Sequence, residues 1–175
     1  MKELSLSIYV VPTIALVLVI LFYYHFVNQV GNKLNYRKSI ITVSLLAFIL
    51  NFIWEFTQGP LYKGFKYDWQ HISFCMLASI ADMLMVLILL FSFGLIYKNL
   101  YWINSMDLKK VLLLVFVGFS GAILAEVFHT IRGDWSYTDA MPLLPVVEVG
   151  MSPVLQFMIL PWLIFLLGKH MVKEK

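Results

Sequence analysis

The sequence predicts an all-α integral membrane protein, a bundle of about five transmembrane helices, on three observations. Of its 175 residues, 61% are hydrophobic and only 13% charged, where a soluble domain carries about 25% charged residues. The apolar residues fall into five runs, each near the ~20 residues that cross a hydrocarbon core. Basic residues gather between the runs with a regular alternation.

The runs lie near 8–27, 40–60, 72–97, 111–130 and 149–168. The first is too long for a signal-peptide core, and no small-x-small cleavage pattern follows it, so it reads as a retained helix. The second, third and fourth carry Glu55, Asp82 and Glu126 inside otherwise strongly apolar stretches. None shows the polar alternation of a membrane barrel strand. Together they form one transmembrane domain over 1–175. The lone cysteine, Cys75, excludes an internal disulfide and a multi-thiolate metal site, and reads as a packing residue.

Orientation follows from Lys and Arg. Lys33, Arg37, Lys38, Lys98, Lys109, Lys110, Lys169, Lys173 and Lys175 fall on one side; Lys2, Lys63, Lys66 and Arg132 fall on the other, whose 131–148 loop is acidic. The positive-inside rule then puts the N-terminus out and the C-terminus in, across a plasma (inner) membrane. The basic residues are too dispersed to suggest nucleic acid. Helices two and four also echo each other. Each starts after a lysine, reaches a glutamate near its outer end and enters an aromatic-rich loop, the pattern of a duplicated hairpin.

Ionisable residues in a span cost roughly 2.5–3.5 kcal/mol at its centre, so each needs a reason. Asn51, Glu55 and Gln58 share one helix face by their i, i+4, i+7 spacing, and Glu126, His129 and Arg132 recur every third residue. Asp82 lies roughly 16 Å along its helix from His71, near the midplane. Gln156 sits about two turns into the fifth helix. Glu55, Glu126 and Gln156 therefore share a depth in the outer third. Ion pairs of Glu126 with Arg132 or Glu55 with Lys63, and amides acting as interhelical glue, would explain the same residues without a site.

The segment from Ile131 to Pro153 carries Gly133, Trp135, Tyr137, Pro142, Pro145 and Gly150, a composition that favours a compact turned loop. It reads either as a lid over the polar cluster or as an interfacial aromatic belt. Glu126-x-x-His129 is half of a di-iron carboxylate motif with no second copy. A single-metal site would need Glu55, His71, Glu126 and His129 together. His25 and His170 sit at helix ends, where solvent reaches them. No phosphate-binding loop, nucleophile elbow or dinucleotide fingerprint is present.

Glu126, Gly133, Trp135 and Tyr137 are spaced as an acidic residue at a helix end, a glycine and two aromatics before a turned loop. In this the chain resembles the membrane-embedded lycopene cyclase domain and the related carotenoid hydratases, over about thirty residues. In the cyclases a proline and a carboxylate pair open the next helix; here Pro153, Val154, Leu155 and Gln156 stand there. The stretch from Asn51 through Trp54, Glu55, Gln58 and Pro60 to Tyr62 resembles small bacterial membrane proteins of no assigned activity.

The expected function is a cofactor-free enzyme of the cyclase, isomerase or hydratase type, acting on a membrane lipid or isoprenoid. Glu55 would be the acid and Glu126, paired with Arg132, the ionised partner, with Asp82 as a further carboxyl. Asn51, Gln58, His129, Trp135, Tyr137 and Gln156 would line the substrate, the aromatic faces steadying a cation. The rival readings are a small proton-coupled carrier using Asp82, and a non-catalytic subunit of a homo-oligomer or larger membrane complex.

The orientation is testable with cysteines in a Cys75→Ala background. Asp139→Cys should react with an impermeant thiol reagent added to intact cells, and Lys173→Cys should not. Labelling at position 173 alone would invert the topology.

Overall fold

The computed structural model describes residues 10–171, with side chains through Lys169; Lys2, the start of the first expected helix, the His170 side chain, Lys173 and Lys175 lie outside the described residues. Five long helices form: α1 (Val10–Val27), α2 (Lys33–Gln58), α3 (Trp69–Ile96), α4 (Leu108–Arg132) and α5 (Met151–Met171). All five are long and apolar enough to cross a membrane, the design of a multi-pass membrane protein. Ile14, Leu21, Ile49, Phe116, Leu124 and Phe128 stand exposed on the outside of the bundle, an apolar surface of the kind a membrane covers.

Local chemistry sets the helix starts. Asn32, Asp68 and Asp107 each accept a hydrogen bond from the backbone N–H three residues on, at 3.0, 2.9 and 2.9 Å, the usual N-cap geometry. Helix α2 thus begins at Lys33 and not near 40, because the Asn32 cap draws the polar stretch with Lys33, Arg37 and Lys38 into its first turns. Helix α4 ends at Gly133, whose φ of 69° and ψ of 28° place it in the left-handed region, a C-terminal stop that glycine adopts without steric cost.

The helices pack in the order α1, α3, α2, α5, α4. Along α2 one buried stripe runs through Tyr36, Ser39, Val43, Ala47, Asn51 and Gln58. Its first half meets an apolar core with Leu87, Leu90, Phe91, Ile164 and Phe165. Trp102, fully buried on a short 3-10 turn, plugs this end of the bundle; its indole donates to the Leu90 carbonyl at 3.0 Å, and its ring meets Phe165 at 5.3 Å. At Asn51 the stripe turns polar, so the bundle has an apolar half and a half that buries amides and carboxyls.

Helices α4 and α5 pack closely because α4 buries Leu114, Gly118, Ala122 and Glu126 at a spacing of four. Pro161 lies inside α5 and has no N–H for the carbonyl four residues back, that of Phe157. That same carbonyl oxygen lies only 2.0 Å from where a Cβ on Gly118 would sit. The oxygen released by the proline is therefore seated against the bare Cα of the facing glycine, a Cα–H···O contact of the kind that holds close helix pairs.

Gly118→Ala should lower stability by about 1–3 kcal/mol, since a methyl group there displaces backbone. Gly121→Ala meets nothing within 4 Å and should be neutral or slightly stabilising, as alanine favours helix. Equilibrium unfolding of both variants in mixed micelles checks the pair; equal effects would rule out the close approach.

Candidate functional site

The polar half of the bundle is organised around Gln156, one turn after Ser152 on α5 and 1% exposed. Its amide nitrogen donates to Asn51 Oδ1 on α2 and to Asp82 Oδ2 on α3, both at 3.0 Å. Its oxygen accepts from Gln58 Nε2 at 3.0 Å. Gln58 Nε2 also donates to Glu55 Oε1 at 2.8 Å, and Gln58 Oε1 accepts from Ser152 Oγ at 2.7 Å. Asn51 spends its own amide N–H on the Ala47 carbonyl at 2.8 Å. Each amide oxygen and nitrogen of these three side chains is used, as a low-dielectric interior requires. The carboxyls of Glu55 and Asp82 interact with each other and with the Gln156 amide. Both residues are only half-buried, so the pair is not sealed inside the amide network.

A second arm comes from α4. Glu126, 7% exposed, accepts at Oε2 from Trp135 Nε1 at 3.2 Å and from the Tyr137 hydroxyl. The left-handed turn at Gly133 reverses the chain so that both aromatics come back over α4. The returning strand is pinned to the turn after α2: Lys63 N–H donates to the Ser136 carbonyl and Thr138 N–H to the Leu61 carbonyl, both at 2.9 Å. This pairs Tyr62 with Tyr137 in an antiparallel bridge. The Tyr62 ring then lies 5.6 Å from that of Tyr137 and 6.3 Å, edge-on, from that of Trp135. Beyond it, Met141, Val149 and Gly150 are buried, and a Cβ on Gly150 would sit 2.9 Å from the Tyr137 ring. The loop thus packs Trp135, Tyr137 and Met141 inward, while Leu143, Val146 and Val147 stay exposed.

Tyr62 is within electrostatic reach of Glu126, Glu55 and Asp82 at once, and so links the two arms. Burial, reinforced by these carboxyls, pushes the Tyr62 phenol above its ordinary range. Burial and the bond to Glu126 do the same for Tyr137. Both phenols therefore stay protonated at neutral pH, and that of Tyr137 donates to Glu126.

Most of the residues singled out in the sequence are brought together: Asn51, Glu55, Gln58, Asp82 and Gln156 in one network, Glu126, Trp135 and Tyr137 in the adjoining arm. Arg132 is placed differently from expectation. Its Nε pairs with Asp134 at 3.5 Å, and its guanidinium lies over the Phe128 ring at 5.0 Å. Arg132 and Glu126 lie six residues apart, about 120° off each other's direction on an ideal helix, and α4 stays helical through Arg132. The hydrogen-bond partners of Glu126 are the two aromatic donors. His129 stacks on Trp135 at 4.3 Å and bonds Asp134 through Nδ1 at 2.8 Å, at the rim of the site. His71 is held by Asp68 at the start of α3, at 2.7 Å. Among the described residues, no group of three His, Cys, Asp or Glu side chains is placed to hold a metal ion. The sequence reading missed Tyr62 and Ser152. Ser152 had a readable signal, one helical turn before Gln156; for Tyr62 the only signal was its place beside Pro60 at the end of α2.

Gln156→Leu keeps the volume but strands the Gln58 amide, Asn51 Oδ1 and Asp82. Each orphaned polar group costs roughly 1–3 kcal/mol, so the variant should be among the least stable single substitutions in α5. Leu155→Ala, at an exposed position of the same helix, should cost under about 1 kcal/mol. Comparable losses in the two would mean that the amide network does not hold the helices together. No family model, curated protein or solved structure matches the chain.

Proposed function

We propose that the protein is a membrane-embedded enzyme that moves protons on an apolar, isoprenoid or lipid-like substrate, as an isomerase, cyclase or hydratase. The observation that carries this reading is that Glu55, Asp82 and Glu126, from three helices, lie within electrostatic reach of one another and of Tyr62, with Trp135 and Tyr137 bonded to Glu126. In this reading the carboxyls of Glu55 and Asp82, which lie within interaction distance of each other, share one proton. The Glu55–Asp82 pair thus stores a transferable proton in an apolar setting.

The chemistry balances with the substrate alone or, for hydration, with water as the one further reactant. The pair delivers its proton to one carbon of a substrate C=C bond, forming a C–H bond and leaving a tertiary carbocation. The rings of Tyr62, Trp135 and Tyr137 steady that cation through their faces. Loss of a proton from a neighbouring carbon to a carboxylate gives an isomer, or a ring if a second double bond has closed on the cation first. Addition of water followed by loss of a proton gives the alcohol. In each case the site regains its proton, and the reaction is redox-neutral. Glu126, to which two groups already donate, takes the part of acceptor, and Gln58 and Gln156 orient the donor pair. The likeness of the Glu126–Tyr137 segment to carotenoid cyclases and hydratases supports an isoprenoid over a fatty acyl chain. With the basic loops inside a plasma membrane, the N-terminus out and the C-terminus in, the site opens toward the outer leaflet.

Incubation with lycopene in D2O provides the test. An isomerised or cyclised product should carry one deuterium, and a hydrated one the elements of D2O, by mass spectrometry. Glu55→Gln and Glu126→Gln should each slow the reaction by roughly 10²–10⁴-fold, the usual worth of a general acid or base. If neither lycopene nor the membrane isoprenoids of the host take up deuterium, and liposomes show an Asp82-dependent proton flux instead, the carrier reading replaces the enzyme.

A further inference from the structure

At the opposite end of the bundle, a half-open cleft of about 950 Å³ lies between the α1–α2 connection and the segment after α3. Its polar lining consists of Gln29, Asn32, Asn35, Lys98 and Asn99; its apolar lining includes Phe26, Leu95 and Leu100. These positions fall where α1 and α3 end and α2 begins, at the level where hydrocarbon gives way to lipid headgroups.

Gln29 turns its Nε2 to His25 at 2.9 Å, and the hydrogen bonding at Asn32 and Asn99 favours an anion. Asn32 Oδ1 accepts from the Asn35 backbone N–H at 3.0 Å, and Asn99 Oδ1 accepts from the Tyr101 N–H at 2.9 Å. Each amide oxygen is thereby engaged by a backbone N–H, and the NH2 group of each side chain is a donor. Lys98 adds a full positive charge on a backbone with φ of 50°, in the left-handed region. That conformation closes the end of α3, where Lys98 N–H reaches the Leu95 carbonyl and Asn99 N–H the Gly94 carbonyl. The lysine is held at the cleft by the turn that ends the helix. Tyr36, next in sequence to Asn35, is 2% exposed and its hydroxyl has no partner. It stacks on Tyr23 and is in electrostatic reach of Tyr101, which lines the cleft.

The surroundings have the same sign. Lys33, Arg37, Lys38, Lys109 and Lys110 lie on this end of the bundle, and Asp107 is the one acid in 28–39 and 97–110. A soluble anion would use the amides and lysine but would gain nothing from Phe26, Leu95 and Leu100. We infer that the cleft is a binding site for one anionic phospholipid of the leaflet on the basic side, with its phosphate at Lys98, Asn32 and Asn99 and the start of its acyl chains against the apolar wall. This assignment is independent of the chemistry at the carboxyl cluster.

The test is native mass spectrometry of the intact chain released from nanodiscs of phosphatidylglycerol mixed with phosphatidylcholine. Wild type should retain one phosphatidylglycerol in preference to phosphatidylcholine. Lys98→Gln should reduce that retention roughly five- to tenfold, the worth of one basic residue at an anionic surface. Lys98→Arg should keep it, and Lys63→Gln, at the far end, should leave it unchanged. Asn35→Leu keeps its backbone bond to Asn32 and gives a second disruption of the cleft should Lys98→Gln fold poorly. Free glycerol phosphate at millimolar concentration should not displace the lipid. Equal retention by wild type, Lys98→Gln and Asn35→Leu would overturn the site. Displacement by glycerol phosphate would show a phosphate site without lipid specificity and would equally overturn it.

Discussion

The carboxamide of Gln156 is the interaction on which the polar half of this bundle depends. With hydrogen bonds to Asn51 and Gln58 on one helix and to Asp82 on another, it ties α5 to α2 and α3 through a single side chain. Apolar contact between helices gives little net gain in a bilayer, because lipid tails are as apolar as leucine. Close packing and polar contacts must then supply both association and specificity. Gln156 supplies the polar contacts, and the Gly118–Phe157 approach supplies the packing on the other side of α5. Helix α5 thus carries both the central amide of the polar half and the close approach to α4.

This arrangement explains how charged residues are tolerated inside a membrane span. Glu55 and Asp82 are each bonded to an amide that is itself fully engaged, and Glu126 is met by a phenol and an indole. Among the described residues, the salt bridges join none of these three carboxyls to a lysine or arginine. Arg132 stays at the rim with Asp134. A carboxyl held by neutral donors keeps the freedom to take up or release a proton, which a tight ion pair with arginine would restrict. The expected Glu126–Arg132 pair is thus replaced by two neutral donors on Glu126 and by an Arg132–Asp134 pair at the rim.

The two ends of the molecule are built on opposite principles. One end is sealed by Trp102 and an aromatic core, with a basic surface and an amide-lined cleft outside it. The other is closed by a loop whose pairing with the turn after α2 carries Tyr62, Trp135 and Tyr137 onto the carboxyls. The cap is held by backbone hydrogen bonds between two loops distant in sequence. Its aromatic rings are therefore positioned by main-chain geometry and not by a helix face.

The fold class was legible in the sequence because a bilayer imposes a simple demand: about twenty apolar residues per span and basic residues outside. The five spans follow from that, and so does the suspicion attached to every carboxyl within them. Helix periodicity also placed Asn51, Glu55 and Gln58 on one face, since spacing along a single helix is a local property. What only the tertiary structure decided is which helix meets which. Whether Gln156 reaches Asp82, whether Tyr62 joins Glu55 to Glu126, and whether Arg132 turns toward Glu126 or Asp134 depend on the packing order α1, α3, α2, α5, α4 and on the path of the loop after Gly133. Those contacts join residues up to 105 positions apart, and no local periodicity carries information across such a distance. The early start of α2 has a different cause. A capping asparagine can carry a helix into polar sequence, and a hydropathy pattern sees only the apolar part.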